Sequence, residues 1–150
     1  MKILNEFKCT FPANSANEAL ARAAVSAFLI PADPTAQELA DLRTVISEAV
    51  TNAIVHGYRG TTGTVSVCLR MLPERVIYIR VTDKGCGIPD VGRAMEPLYT
   101  SAPEEDRAGL GFAIMQTFTD QLHVRSIEGQ GTVLTMRRKL GVRHDEESTD

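Results

Sequence analysis

The chain has 150 residues, 43% of them hydrophobic and 23% charged, the balance of one soluble globular domain long enough to bury a core. No apolar run reaches membrane-spanning length and the N-terminus lacks a signal-peptide stretch, so a cytoplasmic protein with no membrane partner is expected; Cys9, Cys68 and Cys86 form no C-x-x-C pair, which indicates neither a zinc site nor a disulfide framework. Net charge is −3, and the ten residues from Gly141 hold one arginine against four acids (1 − 4 = −3), so residues 1–140 are formally neutral and direct nucleic-acid binding is not expected.

Residues 2–11 alternate, with Ile3, Phe7, Cys9 and Phe11 on one face, as in a half-buried strand. Ser15-Ala16-Asn17-Glu18 has the spacing of a capping box and opens an Ala-rich helix that runs to about Phe28. Pro31 and Pro34 mark a loop. Thr35-Ala36-Gln37-Glu38 is a second capping box, opening a longer helix with Leu39, Leu42, Val45, Ile46, Ala49, Val50 and Ala53 on its apolar side. His56-Gly57 closes that helix, with Gly57 as its stop. Strands over residues 64–71 and 76–82 follow, joined by a turn at Pro73-Glu74. Residues 83–108 are rich in glycine, proline and charge and read as one long loop, a feature usually kept for function. A third helix over 109–120 and a hairpin of 122–126 with 132–140, turning at Glu128-Gly129-Gln130-Gly131, complete the chain.

That order predicts an α+β fold, a two-layer sandwich in which helices cover one face of a mixed or antiparallel sheet. Residues 1–140 form the single domain. Residues 141–150 form a polar, acidic tail expected to be disordered.

Four groups of residues have chemistry to offer. Glu48, Asn52 and His56 are spaced by four and form one polar ridge on a helix whose other side is apolar. Glu48 can take a proton, and Asn52 offers a carbonyl oxygen to a hard cation such as magnesium. Asp83-Lys84-Gly85-Cys86-Gly87-Ile88-Pro89 follows a strand directly. Its two glycines let the backbone approach a flat ligand, and a carboxylate at a strand end accepts from an exocyclic amine that adenine has and guanine lacks at that position. Gly109-Leu110-Gly111 opens a helix, where free N–H groups and the helix dipole favour an anion; Arg107 just before it suits a terminal phosphate. Thr132, after Gly129 and Gly131, adds a hydroxyl. A P-loop, the G-x-G-x-x-G dinucleotide fingerprint and the motif set of eukaryotic protein kinases are all absent.

The order of these groups resembles the GHKL ATPases (gyrase, a heat-shock chaperone, histidine kinases and MutL) over about residues 3–140. The resemblance implies the Bergerat-type ATP-binding fold, with ATP and magnesium enclosed beneath a mobile lid, here residues 95–108. It implies an ATP site of Asn52, Asp83, Gly85, Gly87, Ile88, Arg107, Gly109, Gly111 and Thr132, with Asn52 on the magnesium and Glu48 as base or orienting carboxylate. Asp33-Pro34-Thr35, the run from Ser47 to Ala53, the run from Gly109 to Met115 and Gly129-Gln130-Gly131-Thr132 are similar to the bacterial anti-sigma factor kinases, most of all those of the sporulation sigma F type. That likeness implies a homodimer that binds a sigma factor and phosphorylates a serine of an anti-anti-sigma protein. A stress-response relative acting on another sigma factor, and a binding module that uses ATP only for shape, are the alternatives. A stand-alone domain of this size is expected to receive its phosphoacceptor from outside.

Overall fold

The computed structural model describes residues 1–96 and 107–141. In chain order the elements are β1 (Asn5–Pro12), α1 (Ala16–Leu29), α2 (Ala36–Thr51), a π-helical turn (Asn52–Gly57), β2 (Thr64–Leu72), β3 (Val76–Asp83), the single turn α3 (Val91–Ala94), α4 (Arg107–Phe118), β4 (Gln121–Ile127) and β5 (Gly131–Lys139). The strands form one sheet in the order β1-β2-β3-β5-β4, and every pairing is antiparallel. The fold is the expected α+β sandwich. The sequence left the sheet open between mixed and antiparallel, and the direct β3–β5 pairing decides for antiparallel.

The register puts Phe7, Leu69, Ile79, Met136 and Leu122 side by side on one face, because side chains on paired strands alternate in step. Against that face lies α2, whose Leu42, Val45, Ile46, Ala49 and Val50 follow the i, i+3, i+4, i+7, i+8 rhythm and are all fully buried. Arg138 of β5 holds the helical layer at one end: its guanidinium donates to the Asp41 carboxylate of α2 at 3.2 Å and to the carbonyl of Phe118 at the end of α4 at 2.8 Å. A cation on the last carbonyls of a helix also complements its dipole. On the other face of the sheet, Arg70 and Arg137 lie over the ring of Tyr78, 5.1 and 5.7 Å from its centroid.

The two capping boxes part company. At α2 both halves form: the Thr35 hydroxyl accepts from the Glu38 N–H at 3.0 Å, and the Glu38 carboxylate accepts from the Thr35 N–H at 2.9 Å. At α1 neither does. Ser15 already has helical dihedrals and makes no side-chain cap, and Asn14 one residue earlier accepts from the Ala16 N–H instead. Glu18 is drawn away to the hydroxyl of Ser47 and to Arg22. Thr35→Ala is therefore expected to lower the free energy of unfolding by about 1 kcal/mol, and Ser15→Ala by much less, in urea denaturation followed by circular dichroism.

The remaining element ends moved by small amounts. The first strand begins at Asn5, leaving Ile3 exposed ahead of it. The third helix begins at Arg107 rather than Gly109. Most of the expected lid, residues 97–106, lies outside the described residues, as do the side chain of Arg107 and residues 142–150 of the acidic tail.

Candidate functional site

A cavity of about 410 Å³ opens between the helices, with Glu48, Asn52 and His56 contributing from α2 and the π turn, and Leu110, Gly111 and Ile114 from α4. The polar ridge read from the sequence therefore faces a hollow, not open solvent. At Gly111 α4 stands close to Glu48: a Cβ built there would be 3.0 Å from its Oε2. The absence of a side chain at Gly111 lets a helix start and a carboxylate share one small space. Because α4 begins at Arg107, Gly109 and Leu110 fall among the first four residues of the helix, whose N–H groups have no partner within it. Gly111 comes one position later, at the start of the second turn.

The helix carrying Glu48 does not end as the sequence suggests. After Thr51 the chain passes into the π turn, and the Tyr58 N–H reaches back five residues to the carbonyl of Ala53 at 3.1 Å. Gly57 is not a left-handed stop; the positive φ values fall at Arg59 and Gly60. Gly57 is required by a different contact, since a Cβ there would sit 2.9 Å from the Asp83 carboxylate.

Asp83 is the last residue of β3 and is buried. Burial pushes its carboxyl above the ordinary range, an effect opposed by the backbone N–H groups of Gly85 and Thr132. Oδ1 accepts from the Gly85 N–H at 2.9 Å. The loop that follows is fastened to its neighbours at every other residue. The Cys86 N–H donates to the Gly57 carbonyl at 2.7 Å, and the Ile88 N–H to the Ser126 hydroxyl at 2.7 Å. The glycines between are needed because backbone meets backbone: a Cβ at Gly85 would overlap the Gly57 carbonyl, and one at Gly87, whose φ is +74°, would overlap that of Ile127. The sequence assigned these glycines to the approach of a ligand; part of the requirement is the chain's own packing.

Thr132 is buried directly opposite Asp83 in the β3–β5 register, and its hydroxyl is 2.8 Å from that of Ser126. Asp83 does not line the helical cavity. The two regions meet through consecutive residues, His56 on the cavity and Gly57 against Asp83. Glu48, Asn52 and Gly111 are thus brought together on one side and Asp83, Gly85 and Thr132 on the other, with Gly87 and Ile88 at the far end of the loop. Tyr58 and Ser126 carry no motif in the sequence, and the spacing gives Gly57 as a helix end, not as the neighbour of Asp83.

Residues 11–138, which carry both the helical cavity and the Asp83 loop, match the family of histidine kinase-like ATPase domains. The chain is 50% identical over 137 residues to the anti-sigma F factor of Pasteuria penetrans, covering 91% of each protein, and 43% identical over 141 residues to that of Clostridium acetobutylicum, covering 94% of this chain and 98% of the other. Among solved structures, the RsbU and RsbW domains of a Mycobacterium tuberculosis protein share the fold with a TM-score of 0.67 at 20% identity, over 93% of this chain and 34% of that one. The chain belongs to the histidine kinase-like ATPase domain family, in the branch of the anti-sigma F factors.

Proposed function

We propose that the chain is a cytoplasmic anti-sigma factor of the sigma F type and a protein serine kinase. It acts as a homodimer that binds its sigma factor and transfers the γ-phosphoryl group of ATP to a serine of an anti-anti-sigma protein. The observation that carries this reading is the meeting of the Glu48 carboxylate with the first turns of α4 across Gly111. A helix start there favours the phosphates of a nucleotide, and a carboxylate beside them serves a hydroxyl that attacks the terminal one. Kinship with the anti-sigma F factors supports the choice of partners.

The residues present suit ATP with magnesium. The cavity side offers helix N–H groups to phosphates, and the strand side offers a buried acceptor to the exocyclic amine of adenine. Among the described residues no cluster of three or more His, Cys, Asp or Glu side chains could hold a metal by itself. Asn52, however, would offer a side-chain oxygen to a magnesium ion otherwise held by phosphates and water, and the bound ion would offset the repulsion between Glu48 and a triphosphate.

In the transfer, Gly109 and Leu110 hold phosphate oxygens through their N–H groups, and Arg107 steadies the γ-phosphate. Asp83 orients adenine, with Gly85, Gly87, Ile88 and Thr132 shaping its surroundings. Glu48 receives the serine proton as the serine oxygen bonds to phosphorus and ADP leaves. Incubation with γ-labelled ATP, magnesium and an anti-anti-sigma protein is expected to place the label on one serine of that protein. Nucleotide and sigma-factor binding without any label transfer would leave only a nucleotide-dependent binding module.

A further inference from the structure

Tyr58 lies just past the π turn and is only 7% exposed. Its hydroxyl is 2.5 Å from the carbonyl oxygen of Thr64 and 2.9 Å from the backbone nitrogen of Lys84. A phenol has one proton. The carbonyl can only accept and the N–H can only donate, so the assignment is forced: Tyr58 donates to Thr64 and accepts from Lys84. The ring is packed on Gly63, where any Cβ would overlap it, and is buried. The hydroxyl is therefore a fixed point to which the loop is tied.

What it ties is the peptide next to Asp83. Lys84 stands between Asp83 and Gly85, and holding its N–H holds the peptide plane that follows the Asp83 Cα. Gly85 then donates back to Oδ1 of Asp83, and Gly57, the neighbour of Tyr58, abuts that carboxylate and accepts from Cys86. The direction of the Asp83 carboxylate is thus set by residues 57–58 as much as by its own strand.

We propose that Tyr58 is a positioning residue that determines base specificity: its hydroxyl aims the Asp83 carboxylate and so sets the preference for adenine over guanine. Tyr58 is not among the residues that line the helical cavity. Its loss should change recognition of the base while leaving the phosphate side and the transfer step unchanged. The inference rests on the reading of Asp83 as the adenine acceptor.

The test compares the wild type with Tyr58→Phe, which keeps the ring on Gly63 and removes only the hydroxyl. Titration calorimetry with ADP and GDP is expected to give about tenfold weaker ADP binding in the variant with GDP binding unchanged, the size of one lost alignment of a charge-assisted hydrogen bond. KM for ATP should rise by a similar factor while kcat at saturating ATP holds. A lower melting temperature with the ADP-to-GDP ratio intact would overturn the proposal, since that is what a purely structural role produces. Should the variant fail to fold, the wild type still decides, because the Lys84 amide must exchange slowly with solvent in nucleotide-free protein; fast exchange there overturns the proposal. Equal ADP and GDP binding by the wild type would instead refute the reading of Asp83 on which the inference rests.

Discussion

Glu48→Gln is expected to lower phosphoryl transfer to the partner serine by about 10²–10⁴-fold, the range general-base help supplies, while nucleotide binding holds or tightens slightly. The substitution keeps the volume and shape of the side chain beside Gly111, so α4 need not move. It removes two things, the capacity to take a proton and a negative charge. The second loss works in the ligand's favour, because a carboxylate and a triphosphate in one small cavity repel. Binding and transfer are thus predicted to change independently or in opposite senses, which a simple disruption of the site would not produce. Calorimetry with ATP and magnesium and single-turnover transfer of labelled phosphate measure the two separately. Near-normal transfer would reduce Glu48 to a carboxylate on the cavity wall.

The site was legible in the sequence wherever its geometry is local. The spacing of Glu48, Asn52 and His56 put them on one side of the chain, and all three do line one cavity. The apolar rhythm from Leu42 to Val50 gave the buried face of α2, and Thr35 with Glu38 gave its start. What was hidden depends on contacts between distant residues. Gly57 after His56 looks like a helix stop because glycine there usually is one; its true constraint is Asp83, which lies twenty-six positions further on. Tyr58 carries no motif, and its partner Lys84 is equally remote. Ser15 failed as a cap because Asn14 turns the chain one residue earlier, a competition between two good capping residues that spacing cannot rank. The direction of the sheet was open for the same reason, since β3 and β5 pair across an intervening loop, helix and strand.

Asp83→Asn is expected to weaken ADP and ATP binding by about ten- to a hundredfold, the worth of a hydrogen bond to a charged acceptor. The wild type should bind GTP far more weakly than ATP, because guanine has no amine at that position and leaves the buried carboxylate unanswered. The charge has a pH signature with two signs. For binding, the ionised carboxylate is the acceptor, and burial raises its pKa above 3.8, so adenine affinity should begin to fall at a higher pH than an ordinary aspartate would dictate. For stability the sign reverses. A carboxyl whose pKa is raised by folding contributes stability that is fully present below its unfolded pKa and lost as pH rises through the folded value, so at neutral pH the ionised Asp83 is a cost to the unliganded protein. Asparagine removes that cost but turns an amide N–H₂ toward N–H groups that had faced a carboxylate, and these effects oppose each other. The unliganded melting temperature should therefore move little. The nucleotide-dependent rise should nearly vanish: at a hundred times the wild-type Kd, ADP stabilises the wild type by about 2.7 kcal/mol and a hundredfold weaker variant by about 0.4 kcal/mol. Thermal melts of both proteins with and without ADP read this directly. An undiminished rise in the variant would show that the carboxylate at the end of β3 does not hold the base.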